Sequence, residues 1–264
     1  MCNTHMQEVK TYTHCVYVFI SCIFSVNVIS IFTVPTKVLV LTGYDSNGYD
    51  DSRSNSEVLD LIKKPYRECQ NMAIPPKKAK GATGGLVEGR LLICGGKDSE
   101  LFHDECYRVT KKSTSLIRIM KEKRAYATSV VVNHIKLWIL GGRSCNSDNC
   151  LLNSTEYFHV GQYNYYGPNL PKRTYGHTIT AWNSTSYIII GGHGVLKKTF
   201  LHSENNHEIW ITGPELNQGR SQHAAGLGMD TATNETYIAV TGGMGYLDSV
   251  EILYSGDTEW NAGK

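Results

Sequence analysis

The sequence predicts an all-β protein, a β-propeller of four-stranded blades. Three observations carry that expectation. An apolar run closed by a glycine doublet recurs about every 50 residues. Each copy is followed by further short apolar elements at similar offsets. No stretch of the chain sustains a 3.6-residue apolar period, so helices are not expected to build the core.

Composition sets the outer bounds. The chain has 264 residues, 41% hydrophobic and 19% charged, enough to bury a sizeable core. A disordered chain, a collagen and a coiled coil are excluded. With 26 basic and 24 acidic residues, the net charge is +2, which argues against an electrostatic grip on nucleic acid. The 25 Gly, 16 Tyr and 7 Pro suit many tight turns between short strands. Eight Cys are too few for a disulfide scaffold.

Residues 15–34, CVYVFISCIFSVNVISIFTV, contain no charged side chain. Three readings fit them. As a secretory signal, Lys10 is a basic flank, Cys15–Phe24 an apolar run and Ser25 a small residue for cleavage. As an uncleaved anchor, twenty helical residues span about 30 Å, although Ser, Asn and Thr weaken the signal. As structure, Ser25–Val34 is a propeller strand. Ser25 precedes Gly43 by 18 residues, as Arg124 precedes Gly142. The domain reading is therefore an apolar segment over 1–35 that is signal, anchor or first strand, and a propeller over 36–264.

The doublet strands are LLICGG (91–96), LWILGG (137–142), YIIIGG (187–192) and YIAVTGG (237–243), with a degenerate VLVLTG at 38–43. Their last glycines are Gly43, Gly96, Gly142, Gly192 and Gly243, in steps of 53, 46, 50 and 51. A second element follows as SEVLDL (56–61), DECYRV (104–109), STEYFHV (154–160) and DSVEILY (248–254). A third pairs an aromatic with Gly or Pro, as in YYGPNLP (165–171), IWITGPEL (209–216) and EWNAG (259–263). A fourth, KRAYATSVVV (123–132), KRTYGHTITAW (172–182) or GRSQHAAGL (219–227), precedes the next doublet strand. Four strand-length stretches in about 50 residues make one propeller blade. The repeats run 36–78, 79–121, 122–171, 172–218 and 219–264. In each doublet, Gly supplies positive φ or lets backbones approach closely.

On these residues the chain resembles the kelch family. The resemblance rests on Gly95-Gly96, Gly141-Gly142, Gly191-Gly192 and Gly242-Gly243, on Glu156-Tyr157 and Glu251-Ile252, and on Trp210 and Trp260. It covers about residues 36–264. Thr42 replaces the first glycine of repeat 1, repeat 2 has Leu116 or Ile117 where an aromatic belongs, and repeat 4 lacks the Glu-Tyr pair. By length the chain holds 4.6 repeats, and the last stops soon after Trp260, so a fragment of a six-bladed ring is expected. A five-bladed ring with Ser25–Val34 as its first strand is the alternative. The propeller is expected to be monomeric.

Catalytic signatures are scarce. There is no Cys-x-x-Cys, His-Glu-x-x-His or Gly-x-Ser-x-Gly, and Thr231 breaks the pattern begun by Gly226-Leu227-Gly228. The tyrosine, cysteine and histidine set of the copper-radical oxidases, which share the family fold, cannot be assembled. No catalytic residue, cofactor or metal is assigned. The acidic loop Asp45–Asp51 fits turn chemistry better than an EF-hand. Arg124, Arg173 and Arg220 recur at one place in three repeats, with His177 and His223 just after two of them. They form either a basic rim that meets carboxylates on a partner, or blade-edge residues held by local carbonyls and acids.

Cys94 and Cys106 fall on successive strands and Cys145 and Cys150 bracket a short loop, so each pair can bridge in an oxidising compartment, leaving Cys69 over. Asn153, Asn183 and Asn234 head glycosylation sequons. The leading functional reading is a non-enzymatic, secreted scaffold whose loops bind a protein partner that remains unknown. Loop lengths vary on a fixed frame, which is where recognition sits. A galactose-oxidase-like or sugar-binding and sugar-processing propeller that uses the channel mouth is the second reading. A cytoplasmic scaffold binding actin or a regulatory protein is the third. No nucleic-acid partner is expected, and a membrane only if 15–34 stays as an anchor.

Overall fold

The computed structural model describes residues 31–34, 37–41, 56–60, 70–71, 80–205, 209–230, 232–244 and 248–263. They form five four-stranded antiparallel sheets, each with its strands in chain order. The first holds β1 (Ile31–Val34), β2 (Lys37–Leu41), β3 (Ser56–Asp60) and β4 (Gln70–Asn71). The second holds β5 (Thr83–Val87), β6 (Arg90–Cys94), β7 (Glu105–Val109) and β8 (Thr114–Ile119). The third holds β9 (Thr128–Val132), β10 (Lys136–Leu140), β11 (Thr155–His159) and β12 (Tyr165–Tyr166). The fourth holds β13 (Thr178–Ala181), β14 (Ser186–Ile190), β15 (Thr199–Ser203) and β16 (Trp210–Thr212). The fifth holds β17 (Ala224–Met229), β18 (Thr236–Thr241), β19 (Val250–Tyr254) and β20 (Asn261–Ala262). One 3-10 turn lies at Asp148–Cys150. Four of the sheets each coincide with one sequence repeat, the first takes β1 from ahead of the repeat at 36–78, and the architecture is a β-propeller of four-stranded blades.

The 4.6 repeats counted by length become five complete sheets. Ile31–Val34 supplies the first strand of the first blade, pairing Ile31 with Val40 and Val34 with Lys37. At the other end the blade does not stop short. Its fourth strand needs only two residues, and Glu251↔Ala262 and Ile252↔Asn261 complete it directly after Trp260. The chain that follows Trp210 in the preceding repeat is the entry into the next blade.

The first strands pack on one another in series, β5 on β9, β9 on β13 and β13 on β17, so they form the inner edge of the blades. The second strands lie between two blades and are buried on both faces. Leu137 and Ile139 enter one core with Val87, Leu92 and Phe158. Trp138 and Leu140, on the opposite face of β10, enter the next core with Leu170, Tyr187 and Ile189. Ile188 and Ile190 of β14 enter the third with Ile238, Val240 and Trp260. This two-sided burial is why the doublet strands read as unbroken apolar runs. Trp138 carries an aromatic cluster between blades, stacked 5.2 Å from Tyr157 and 5.8 Å from Trp210 and edge-on to Tyr187 at 5.7 Å. Cys94 and Cys106 are bridged across β6 and β7 inside the first core.

The glycine doublets clasp successive blades. Gly96 N–H donates to the Arg124 carbonyl at 2.8 Å, Gly142 to Thr174 at 2.9 Å and Gly192 to Arg220 at 2.9 Å. The next blade's backbone therefore lies against the doublet. A Cβ on Gly191 would sit 2.4 Å from the Arg220 carbonyl oxygen, at φ +58°. Gly191→Ala is expected to cost at least about 2 kcal/mol, from the left-handed backbone and the displaced blade together. Gly161 has φ +82° with nothing within 4 Å of a Cβ, so Gly161→Ala is the control that keeps only the backbone contribution. Urea midpoints of the two variants separate the terms.

Candidate functional site

Arg124 and Arg220 are not a rim. They are 1% and 0% exposed, and each works as an internal brace. The Arg124 carbonyl accepts from Gly96 of the preceding blade. Its guanidinium turns into its own blade, donating to the Gly141 carbonyl at 2.9 Å, the Ser154 carbonyl at 3.1 Å and Glu156 Oε1 at 2.7 Å. Glu156 is satisfied in turn by the backbone N–H groups of Lys121 at 2.8 Å and Glu122 at 3.2 Å. Blade five repeats the device: Arg220 donates to the Gly242 carbonyl at 2.9 Å and Glu251 Oε1 at 2.7 Å. Glu251 accepts from the N–H of Asn217 at 2.6 Å and Gln218 at 3.2 Å. Blade four has neither partner. Thr174 occupies the arginine place and bonds Gly142 through its carbonyl, and Phe200 occupies the glutamate place, opposite Ile189 as Glu156 is opposite Ile139. Across blades three to five the pair is present or absent as a unit, as expected when one buried charge without the other is costly. Arg173, which the sequence aligned with the other two, lies one residue earlier and is exposed.

His177 and His223 do hold equivalent positions, but inside the protein, 4% and 6% exposed. Each packs on the preceding blade's doublet, His177 against Gly141 and His223 against Gly191. His223 Nε2 lies 3.0 Å from Thr178 Oγ1. Burial lowers both imidazoles to about 3, with Arg220 and His177 adding to the effect on His223. They are neutral core groups. Among the described residues no cluster of three metal-ligating side chains forms.

A third device joins the blades around the axis. Tyr126, Gly176 and Gln222 follow the braces at the inner-strand entrances, all at positive φ. Tyr126 N–H donates to the Gly81 carbonyl at 2.7 Å, Gly176 to Tyr126 at 2.9 Å and Gln222 to Gly176 at 2.6 Å. This backbone belt fixes the mouth of the propeller.

Around that mouth the residue after each doublet is presented: Lys97, Arg143, His193 and Met244. Lys97 and Arg143 bridge the entrances of their own blades at Lys80 and Ala125. His193 and Met244 bond theirs at Tyr175 and Ser221. All but Met244 are half-buried. The Arg143 guanidinium lies 5.0 Å over the Tyr175 ring and donates from Nε to the Cys145 carbonyl at 2.8 Å. Tyr175 is 4.8 Å from His193 and 6.0 Å from Tyr126. The loop after Arg143, closed by Cys145–Cys150, reaches both neighbours. Asn146 Oδ1 accepts from Lys97 Nζ at 2.9 Å, and Asp148 lies 3.9 Å from His193 Nε2. Asp98 is turned into its own loop, accepting from the N–H of Glu100 and Leu101, which hold its carboxyl below the usual range. The result is a disulfide-stiffened shelf of two cations and two tyrosines, chemistry suited to a carboxylate beside a flat or apolar group. The sequence displays the signal for it, since Lys, Arg and His each stand directly after a Gly-Gly.

Asn183 lies exposed in the β13–β14 turn and Asn234 in the β17–β18 turn, both at the blade ends away from the doublets. Asn153 is half-buried at the doublet end and donates to the Leu170 carbonyl at 3.5 Å. Trp260 is buried and donates to the Pro214 carbonyl at 3.1 Å. Trp210 is half-buried against the second core. Gly43, Asp45–Asp51, Cys69 and residues 15–30 lie outside the described residues. Among the described residues no helix is long and apolar enough to cross a membrane.

No family model matches the chain, and no curated protein matches its sequence. Among solved structures it is similar to that of YjhT, with a TM-score of 0.70 and 14% identity over 89% of this chain and 82% of that one. At that identity the likeness shows the fold, a propeller of four-stranded blades.

Proposed function

We propose that this chain is a kelch-type propeller that works outside the cell as a non-enzymatic binding module. Its doublet face holds a carboxylate-bearing segment of a protein partner. One observation carries the reading: Lys97 and Arg143 are set on adjacent blades beside Tyr126 and Tyr175 by a disulfide-closed loop. A loop held by a bridge and by both neighbours loses little entropy on binding. Two disulfides are more typical of extracellular than of cytosolic proteins. Glycans on Asn183 and Asn234 would sit at the far end and leave this face clear.

The sugar-binding reading keeps one specific support, the two tyrosine rings at the mouth, 6.0 Å apart. A tagged full chain expressed in animal cells tests both. Protein in the medium is expected to bind cell surfaces, and Lys97→Glu with Arg143→Glu to reduce that binding at least tenfold while the protein stays folded at the assay temperature. Binding that survives the double variant, or protein held only in the lysate, overturns the reading. Binding to defined glycans on an array, unaffected by removing surface proteins, would select the sugar-binding reading instead.

A further inference from the structure

We propose a second docking site on the outer wall of blade two, where the open edge of β8 takes an extended acidic segment of a partner as an added strand. β8 differs from the other fourth strands. It has 6 residues, while β4, β12 and β20 have 2 and β16 has 3. A strand this long at an outer edge offers a row of backbone donors and acceptors. One of them is already engaged from outside the sheet: the Ile119 carbonyl accepts from Asn164 Nδ2 of the next blade at 3.1 Å. That side chain stands where a paired strand would donate.

Side chains complete a groove of about 520 Å³ between β8 and the β11–β12 turn. A bulge between β7 and β8 pairs Cys106 with Arg118 and Tyr107 with Leu116, skipping Ile117. Ile117 packs against the first core, while Leu116 and Ile119 stay 54% and 49% exposed. Tyr163 forms the far wall and is 88% exposed. Arg118 lies 5.9 Å over Tyr163, and Lys121 lies 5.3 Å over Tyr166. Two cations along one open edge choose the occupant. They repel a second β8, because edge-to-edge pairing of two copies would gather four positive charges on one ribbon. They favour a strand carrying Asp or Glu between β-branched residues.

A random dodecapeptide phage library panned on the full chain tests this. Peptides mixing acidic residues with Val, Ile or Tyr are expected to be enriched. As fluorescent synthetic peptides they are expected to lose at least tenfold in affinity to the Leu116→Glu, Lys121→Glu double variant. Both side chains are exposed, and Lys121→Glu alone is the reserve should the double variant unfold. Methylating alternate peptide N–H groups is expected to cost at least tenfold as well, since pairing runs through the backbone. No enrichment over the double variant overturns the proposal, as does affinity that withstands N-methylation. Dimerisation of the chain that Leu116→Glu abolishes would assign the edge to self-pairing and overturn it too.

Discussion

Arg220→Ala is expected to destabilise the protein by about 3–5 kcal/mol, because it leaves Glu251 charged and buried without its partner. Arg220 reaches the Gly242 carbonyl and Glu251 while its own carbonyl holds Gly192 of the preceding blade. Its loss therefore loosens the doublet turn as well as the acid. Glu251→Ala should cost a similar amount. Removing both should cost less than the two single losses together, since the uncompensated charge disappears. Arg220→Thr with Glu251→Phe copies the residues of blade four and is expected to lie closest to wild type. Chemical unfolding of wild type, the two single alanine variants and their double forms the cycle, with the Thr–Phe variant measured beside it. A loss of only about 1 kcal/mol or less for Arg220→Ala would mark an exposed, rim-like charge and contradict the brace.

Acid is expected to unfold this protein through His177 and His223, two of its buried histidines. Both are neutral in the fold, with burial holding them down to about 3. In the unfolded chain they take up protons near pH 6.5. The unfolded state thus binds more protons as pH falls, so stability is full above about 6.5 and declines toward 3. Two such groups remove several kcal/mol by about pH 5, at a limiting slope of about 3 kcal/mol per pH unit. His177→Ala with His223→Ala imitates Ala127 in blade three. The variant should be less stable at pH 8 through lost packing, yet flatter between pH 6.5 and 4.5. Urea titrations at each pH read that slope, and an unchanged slope would place the acid sensitivity elsewhere.

The four-stranded repeat, the doublets and both disulfide pairs were legible because each leaves a local pattern, whereas the length arithmetic undercounted the five sheets by missing the strand at Ile31–Val34 and the two-residue strand after Trp260. An apolar run buried on two faces, a Gly-Gly that another backbone crosses, and cysteines on paired strands are all written in consecutive residues. The braces were half legible. Arg124 and Arg220 recur visibly, but whether an arginine points outward or inward depends on an acid some thirty residues away. Glu156 and Glu251 stood in the sequence as a repeat motif without a partner. Arg173 misled because a one-residue shift is invisible by eye, and the missing glutamate at Phe200 was the cue to it. The shelf at the mouth was overlooked for a related reason. Lys97, Arg143 and His193 follow the strongest motif in the chain, and their convergence depends on how blades close around an axis. The groove beside β8 needed the bulge at Ile117, which no spacing announces.

On the proposed reading the residues after the doublets bind, while the buried Arg124 and Arg220 hold the fold. The most direct measurement is quantitative affinity capture from the extracellular fraction with wild type and the Lys97→Glu, Arg143→Glu variant as paired baits, both folded at the capture temperature. At least one protein retained by wild type is expected to fall tenfold or more on the variant, and to return when its own acidic residues are matched by Lys97 and Arg143 restored one at a time. Identical retention by the two baits would contradict the account and move the binding surface off the doublet face.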